Sequence, residues 1–236
     1  MNIVSRPLNN TLFSHLLSML PPVSLRKGAF IAGGCARKLY ENRPWIQGDV
    51  DVFFAGEWER NWWVNEMKRK VDALPKQNYP RKVSDTFTMS DHILSFQPSV
   101  SMKQPPQLPQ LSLTMSTDNA DSYQLTFVDP ADPSMIIESH VQVIKTRYAK
   151  SIQDLWQEFD FTVSCFAADA NEIWALPQAV EDLKRKKLTL NNDENTKNLV
   201  MRVLKHHVYG FEADDQMLLN IADKIVEGDF EWNNNY

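Results

Sequence analysis

Ala29-Phe30-Ile31-Ala32-Gly33-Gly34-Cys35-Ala36-Arg37, joined by a short loop to Gly48-Asp49-Val50-Asp51-Val52-Phe53-Phe54, is the stretch on which the fold turns. Ala29 to Ala32 reads as a buried strand, the diglycine Gly33-Gly34 ends it, and Cys35 to Tyr40 reads as the first turns of a helix facing the same opening. In the second strand, Asp49 to Phe54, period-two alternation sets both carboxylates on one face and Val50 and Val52 on the other. Two like charges so close raise each other's pKa, so the pair needs a metal ion or a basic partner. Hard carboxylate oxygens suit magnesium or manganese. Where glycine side chains are absent, backbone N–H groups and the helix N-terminus can approach phosphate oxygens. A phosphate cradle thus lies beside a metal platform.

Outward from this stretch, Leu12, Leu16, Leu17 and Leu20 recur at helical spacing before Pro21 and Pro22. Trp58 to Leu74 fits a helix ended by Pro75, in which Trp58, Trp62 and Trp63 read as packing rather than as a base-stacking platform. Residues 97–121 are rich in Pro, Ser and Gln and read as a long loop, because Pro105, Pro106 and Pro109 speak against a central strand. Strands are expected at Ile93 to Gln97, Tyr123 to Val128 and His140 to Lys145. Ser151 to Phe159 is an amphipathic helix with Ser151 as cap, and it hands the chain to Asp160. There, Phe161, Val163 and Cys165 alternate with Asp160, Thr162 and Ser164 as in a strand, with Ile173 to Leu176 pairing nearby. Leu199, Val200, Val203, Leu204 and His207 form one helix face before Gly210; Met217, Leu218, Ile221 and Ile225 form another before Gly228.

The residues quoted from Phe30 to Arg37 and from Gly48 to Phe54 resemble the signature of the nucleotidyltransferase superfamily with a DNA-polymerase-beta-like fold. Arg37, three places after the second glycine, is similar to the Gly-Gly-x-x-Arg run of tRNA-end-adding (CCA-adding) enzymes. Lys38 departs from that run, standing where those enzymes carry an acid, and the gap to Asp49 is slightly longer. The superfamily implies a third acid on a neighbouring strand, a place that Asp160 fills. Val141-Gln142-Val143-Ile144 with Phe159-Asp160, and then Asp182-Leu183, Leu188, Arg202 to Lys205 and Gly210-Phe211, look like predicted nucleotidyltransferases of phages and large viruses. The matches span Ala29 to Phe54 and Val141 to Phe211.

The resemblance implies an α+β (mixed α/β) fold, with a core of residues 1–180 and a helical region of residues 181–236 closing over the nucleotide. It implies a Mg2+- or Mn2+-dependent transfer of a nucleoside monophosphate from a nucleoside triphosphate to an acceptor hydroxyl, on RNA or a tRNA end, a protein or a small molecule, releasing pyrophosphate. Asp49, Asp51 and Asp160 would be the catalytic metal ligands, and Gly33, Gly34, Cys35, Arg37, Arg202 and Lys205 the nucleotide contacts. The different-class alternative is a noncatalytic descendant of the fold, a phage or viral interaction module.

Blander roles stand beside these. Arg37 fits a phosphate contact or a solvated surface; Arg202, Lys205 and Tyr209 fit nucleotide contacts or the wet face of their helix. Lys184 to Lys187 is the densest basic run, fitting a polynucleotide surface or plain solvation. Cys35 fits a packing role more readily than an S–H near phosphates, and Cys165 reads as a small buried hydrophobe. His206-His207 lacks partners at zinc spacing. Two cysteines point to a reducing compartment, hence the cytoplasm, and a net charge of −5 argues against a broad grip on nucleic acid. No run is apolar and long enough for a membrane, and no signal-peptide pattern opens the chain.

Overall fold

The computed structural model describes residues 2–43, 48–75, 107–192 and 199–226, together with short strand pieces at Gln77–Asn78, Met89–Ser90 and Ile93–Leu94. Strand β1 (Val4–Pro7) precedes helix α1 (Thr11–Met19), where the Asn10 side chain caps the helix by accepting from the Phe13 N–H. Strand β2 (Ala29–Ala32) is buried at every residue and runs into Gly33, whose φ of 77° lies in the left-handed region that favours glycine. Helix α2 (Gly34–Tyr40) follows, then β3 (Val50–Phe54) and α3 (Glu57–Ala73). Strands β4 (Gln110–Ser116), β5 (Ala120–Val128) and β6 (Ile136–Tyr148) form a meander, and α4 (Ile152–Gln157) starts where the Ser151 hydroxyl accepts from the Asp154 N–H. Strands β7 (Phe166–Ala168) and β8 (Glu172–Ala175), then helices α5 (Pro177–Arg185), α6 (Leu199–Val208) and α7 (Asp215–Val226), complete the order.

One eight-stranded mixed sheet organises the core, in the order β1-β8-β7-β2-β3-β6-β5-β4. Every pairing is antiparallel except that of β3 with β6, and the long crossover a parallel pair demands carries α3 and the β4–β5 hairpin. The two faces of β3 meet different neighbours. Phe54 packs edge-on against Trp63 of α3, with ring centroids 5.7 Å apart, whereas Phe53, one pleat away, packs against Phe159, at 5.9 Å. Asp51 shares a face with Phe53, so the segment carrying Asp160 passes over the acidic face of β3. Trp63 has no exposed surface, and its truncation to alanine would cost about 3–5 kcal/mol.

Four expectations are corrected. The strand expected over 160–165 is a bend and a short 3-10 helix, Thr162–Ser164; Thr162 is as buried as Val163 because its hydroxyl donates to Asp182 of α5. The loop expected over 97–121 gives way at Gln110–Ser116, an edge strand, the one place in a sheet that tolerates Pro109 at its entrance. Trp58 and Trp62 are exposed, at 73% and 42%, so Trp63 alone of the three is core. On α6, Leu199 is buried and His206 turns inward against Phe161, while Leu204 and His207 face solvent; on α7, Met217 and Ile221 are buried and Leu218 is exposed. Gln97, Pro105, Pro106, Gly228 and the Ile225 side chain lie outside the described residues.

Candidate functional site

Asp51 sits half-buried at the second position of β3, and Asp49 sits exposed just ahead of the strand. Burial and the charge of Asp49 raise the Asp51 carboxyl to about 7, against the smaller opposing pull of Lys205. The charge of Asp51 in turn reaches Cys35, so the acidic pair and the turn after Gly34 border one opening. A Cβ built on Gly33 or Gly34 would meet nothing within 4 Å, leaving open space on that side. The donor set fits one hard divalent cation: two carboxylate side chains on one strand face, one of them raised by burial and repulsion so that a positive charge would favour its ionised form.

Asp160 has different company. Its Oδ2 accepts from Arg202 Nη1 of α6 at 2.8 Å, and Arg147 of β6 adds a second favourable charge. Burial nevertheless outweighs both cations and holds the carboxyl above its ordinary range. Its other oxygen, Oδ1, is buried with no hydrogen-bond partner among the described residues. No group of three His, Cys, Asp or Glu side chains among the described residues is placed to hold a metal ion. Asp160, expected as a third metal ligand beside Asp49 and Asp51, is placed in an ion pair with Arg202, made possible because α6 brings a guanidinium to the same face.

Helix α6 serves both acidic centres from one side. Arg202 reaches Asp160, and Lys205, three residues on, exerts its charge on Asp51. These residues are thus brought to the site, with Lys205 exposed and Arg202 half-buried. Two further residues belong to the same surroundings and were missed in the sequence. Gln142 of β6 lies opposite Asp51 in the parallel register, and its Nε2 donates to Asp49 Oδ2 at 2.9 Å. Arg147, five residues further along β6, is the second cation of Asp160. For Gln142 there was a signal, a polar residue between Val141 and Val143, both fully buried; for Arg147 there was none.

Other candidates are placed differently from their functional reading. Arg37 is only 6% exposed, donates to the Val163 carbonyl at 3.4 Å and lies 5.0 Å from the centre of the Phe211 ring. It ties α2 to the segments behind the site, and burial lowers its pKa. Lys38 approaches the opening instead: a Cβ on Gly48 would stand 3.1 Å from its Nζ. Cys35 is buried and its thiol is pushed up by that burial, while the Cys165 thiol is pushed up to about 12, so neither is a nucleophile. His206 is driven down to about 3 by burial and the charges of Arg37 and Lys205, and its ring packs among Phe161, Tyr209 and Phe211. The basic run is spoken for residue by residue: Lys184 and Arg185 pair with Glu181, Lys186 with Glu41 and Lys187 with Asp214. No described helix is long and apolar enough to cross a membrane.

With this geometry in place, comparison with known proteins gives two findings. A profile described as the Gabija anti-defense 2 family matches residues 7–186, and no curated protein matches the chain. Among solved structures, a tRNA-processing enzyme in an apo form superimposes with a TM-score of 0.54 at 13% identity, over 94% of this chain and 50% of the other. A CCA-adding enzyme in complex with CTP gives 0.53 at 14% identity, over 97% and 46%. The Thermotoga maritima CCA-adding enzyme complexed with tRNA gives 0.51 at 13% identity, over 97% and 47%. At these identities the likeness shows the fold, that of nucleotidyltransferases, and the chain spans about half the length of the structures it matches.

Proposed function

The chain belongs to the Gabija anti-defense 2 family, and we propose that it acts as a metal-dependent nucleotidyltransferase. It would move a nucleoside monophosphate from a nucleoside triphosphate to an acceptor hydroxyl and release pyrophosphate. The observation that carries this reading is the coupled pair Asp49 and Asp51 beside the open Gly33-Gly34 turn, with Lys205 facing it from α6. Asp49 and Asp51 would hold Mg2+ or Mn2+, which supplies charge neutralisation on the triphosphate and polarises the phosphoryl group under attack. Lys205 offsets the remaining negative charge, and the absent side chains at Gly33 and Gly34 let the phosphates approach the backbone. Arg202, paired with Asp160, and Arg147, whose charge reaches the same carboxyl, would add positive potential to the site. Fold neighbours bound to CTP and to tRNA support a nucleoside triphosphate as donor and an RNA end as acceptor, with a protein or small-molecule hydroxyl as other acceptors of the same chemistry.

A second reading has its own support in the match to an anti-defense family over residues 7–186. In it, the chain is a catalytically inactive nucleotidyltransferase-fold module that counters a defence, as its family description says, by binding alone. The two part in one experiment: the purified chain is incubated with each labelled nucleoside triphosphate, magnesium and cell extract, and label is followed into RNA, protein and small-molecule fractions. Transfer predicts label in one fraction that disappears with Asp49→Ala. Absence of label with all four nucleotides, with no nucleotide-dependent Mn2+ binding, selects the binding module.

A further inference from the structure

The strand beside the acidic face carries an amide within hydrogen-bond reach of the acidic pair. Parallel pairing sets Gln142 directly opposite Asp51, on the same face of the pleat, while its neighbours Val141 and Val143 are buried on the other. From there the side chain reaches Asp49, with Nε2 2.9 Å from Oδ2. An amide carries its donor and its acceptor on one carbon, so half a turn about its last torsion exchanges an N–H for a carbonyl oxygen at the same place. Carbonyl oxygens of Gln are hard ligands of the kind divalent magnesium-like cations accept.

Resting on the reading that Asp49 and Asp51 hold a divalent cation, we propose that Gln142 adds a neutral ligand to that site. Its amide clamps Asp49 while no cation is bound, and turns its carbonyl oxygen inward when one is. The consequence is a matter of charge. Two carboxylates and a neutral amide carry one negative charge fewer than three carboxylates, and Lys205 offsets part of what remains. Affinity for a hard cation follows the number of charged ligands, and magnesium is commonly bound by one or two carboxylates plus substrate phosphates. The site therefore takes its cation together with the triphosphate and binds the free ion weakly. A site of this kind stays empty until a nucleotide arrives.

Calorimetric titration of the purified chain with Mn2+, alone and with a nonhydrolysable nucleoside triphosphate, tests this directly. For the unsubstituted chain, measurable Mn2+ binding is expected only with nucleotide present. Gln142→Glu, which adds a charged oxygen at the same reach, should tighten binding of free Mn2+ by about tenfold or more, and Gln142→Leu, which removes both amide atoms at similar volume, should weaken nucleotide-dependent binding by about tenfold. Circular dichroism melting of both variants confirms that they fold, and either one alone suffices to judge the outcome. If both variants bind Mn2+ as the unsubstituted chain does while Asp49→Ala abolishes binding, Gln142 is not a ligand and the proposal falls, leaving the cation site intact. Tight binding of free Mn2+ by the unsubstituted chain overturns joint admission. If it binds no Mn2+ even with nucleotide, the underlying reading fails along with the proposal.

Discussion

Two acidic centres lie over one face of the sheet, at the β3 pair and at the bend after α4, and they solve the same electrostatic problem in opposite ways. Asp49 and Asp51 repel each other; Asp51 is partly withdrawn from water while Asp49 is exposed, and among the described residues they meet the offsetting charge of Lys205 and an amide hydrogen bond from Gln142. Asp160 is also withdrawn from water but has an internal counter-ion at 2.8 Å. Among the described residues, the first arrangement has a neutral amide as its hydrogen-bonded partner; the second has a direct cationic contact, on Oδ2, while its Oδ1 is buried without a hydrogen-bond partner. An aspartate in sequence thus states a charge, and only its surroundings state whether that charge is available.

The largest expected effect separates the two centres by activity. Asp49→Ala or Asp51→Ala should remove nucleotide-dependent Mn2+ binding and transfer by at least about a hundredfold, beyond the loss typical of residues that merely support a ligand. Their melting temperatures should hold or rise, since a repelling charge has been taken out. Retained activity in either would dissolve the contrast from its active side.

Next comes the Asp160 centre. Asp160→Asn removes the counter-ion of Arg202 but also a carboxylate that burial disfavours, so the two contributions oppose and stability should change by less than about 1 kcal/mol. That corresponds to a shift of no more than a few degrees in melting temperature for a chain of this size. A double-mutant cycle with Arg202→Met should isolate the coupling energy of the pair. Nucleotide-dependent Mn2+ binding should survive Asp160→Asn; its collapse would restore Asp160 as a metal ligand and erase the distinction drawn here.

The pH dependence sharpens the comparison further. Asp51 is raised to about 7 in the folded chain, whereas an unfolded aspartate titrates near about 3.9. The stability this group contributes is full below about pH 4 and is lost as pH rises through about 7. Asp51→Asn cannot ionise, so its melting temperature should draw above that of the unsubstituted chain between about pH 5 and 8, by a few degrees. For the same reason Mn2+ binding below pH 7 should release a proton, seen as a buffer-dependent enthalpy in calorimetry. A gap in melting temperature that does not widen with pH would show that Asp51 is already charged.

The smallest effect is expected at the basic run. Lys184→Ala and Arg185→Ala break exposed pairs with Glu181, worth less than about 0.5 kcal/mol each, and should leave both melting temperature and labelling unchanged. Loss of labelling would return that face to consideration as an acceptor surface.

The sequence was read most successfully where structure depends on near neighbours. The alternation of Asp49 and Asp51 with valines needs only the pleat of one strand, Gly33 needs only its positive φ, and the Ser151 cap needs only the N–H three residues on. Reading failed where a distant group settled the matter. Thr162 looked like a solvent position on an alternating strand, but the Asp182 carboxylate and the Thr189 carbonyl give its hydroxyl a buried partner. On α6 two overlapping stripes compete, and ring contacts from Phe161 and Phe211 draw in His206 while Leu204 stays outside. Arg37 read as a phosphate arm because its neighbours in sequence are site residues; Phe211, far along the chain, supplies the aromatic face that keeps it buried.

By itself, then, the sequence determined the mixed fold, the strand-diglycine-helix opening and the placing of two carboxylates on one face, all consequences of backbone geometry over a few residues. Tertiary structure alone decided the company of each charge: an amide from β6 beside Asp49, an ammonium from α6 near Asp51, a guanidinium on Asp160. Coulombic and hydrogen-bond partners are chosen by distance in space, and spacing along a chain carries no record of which strand or helix will fold back to meet it.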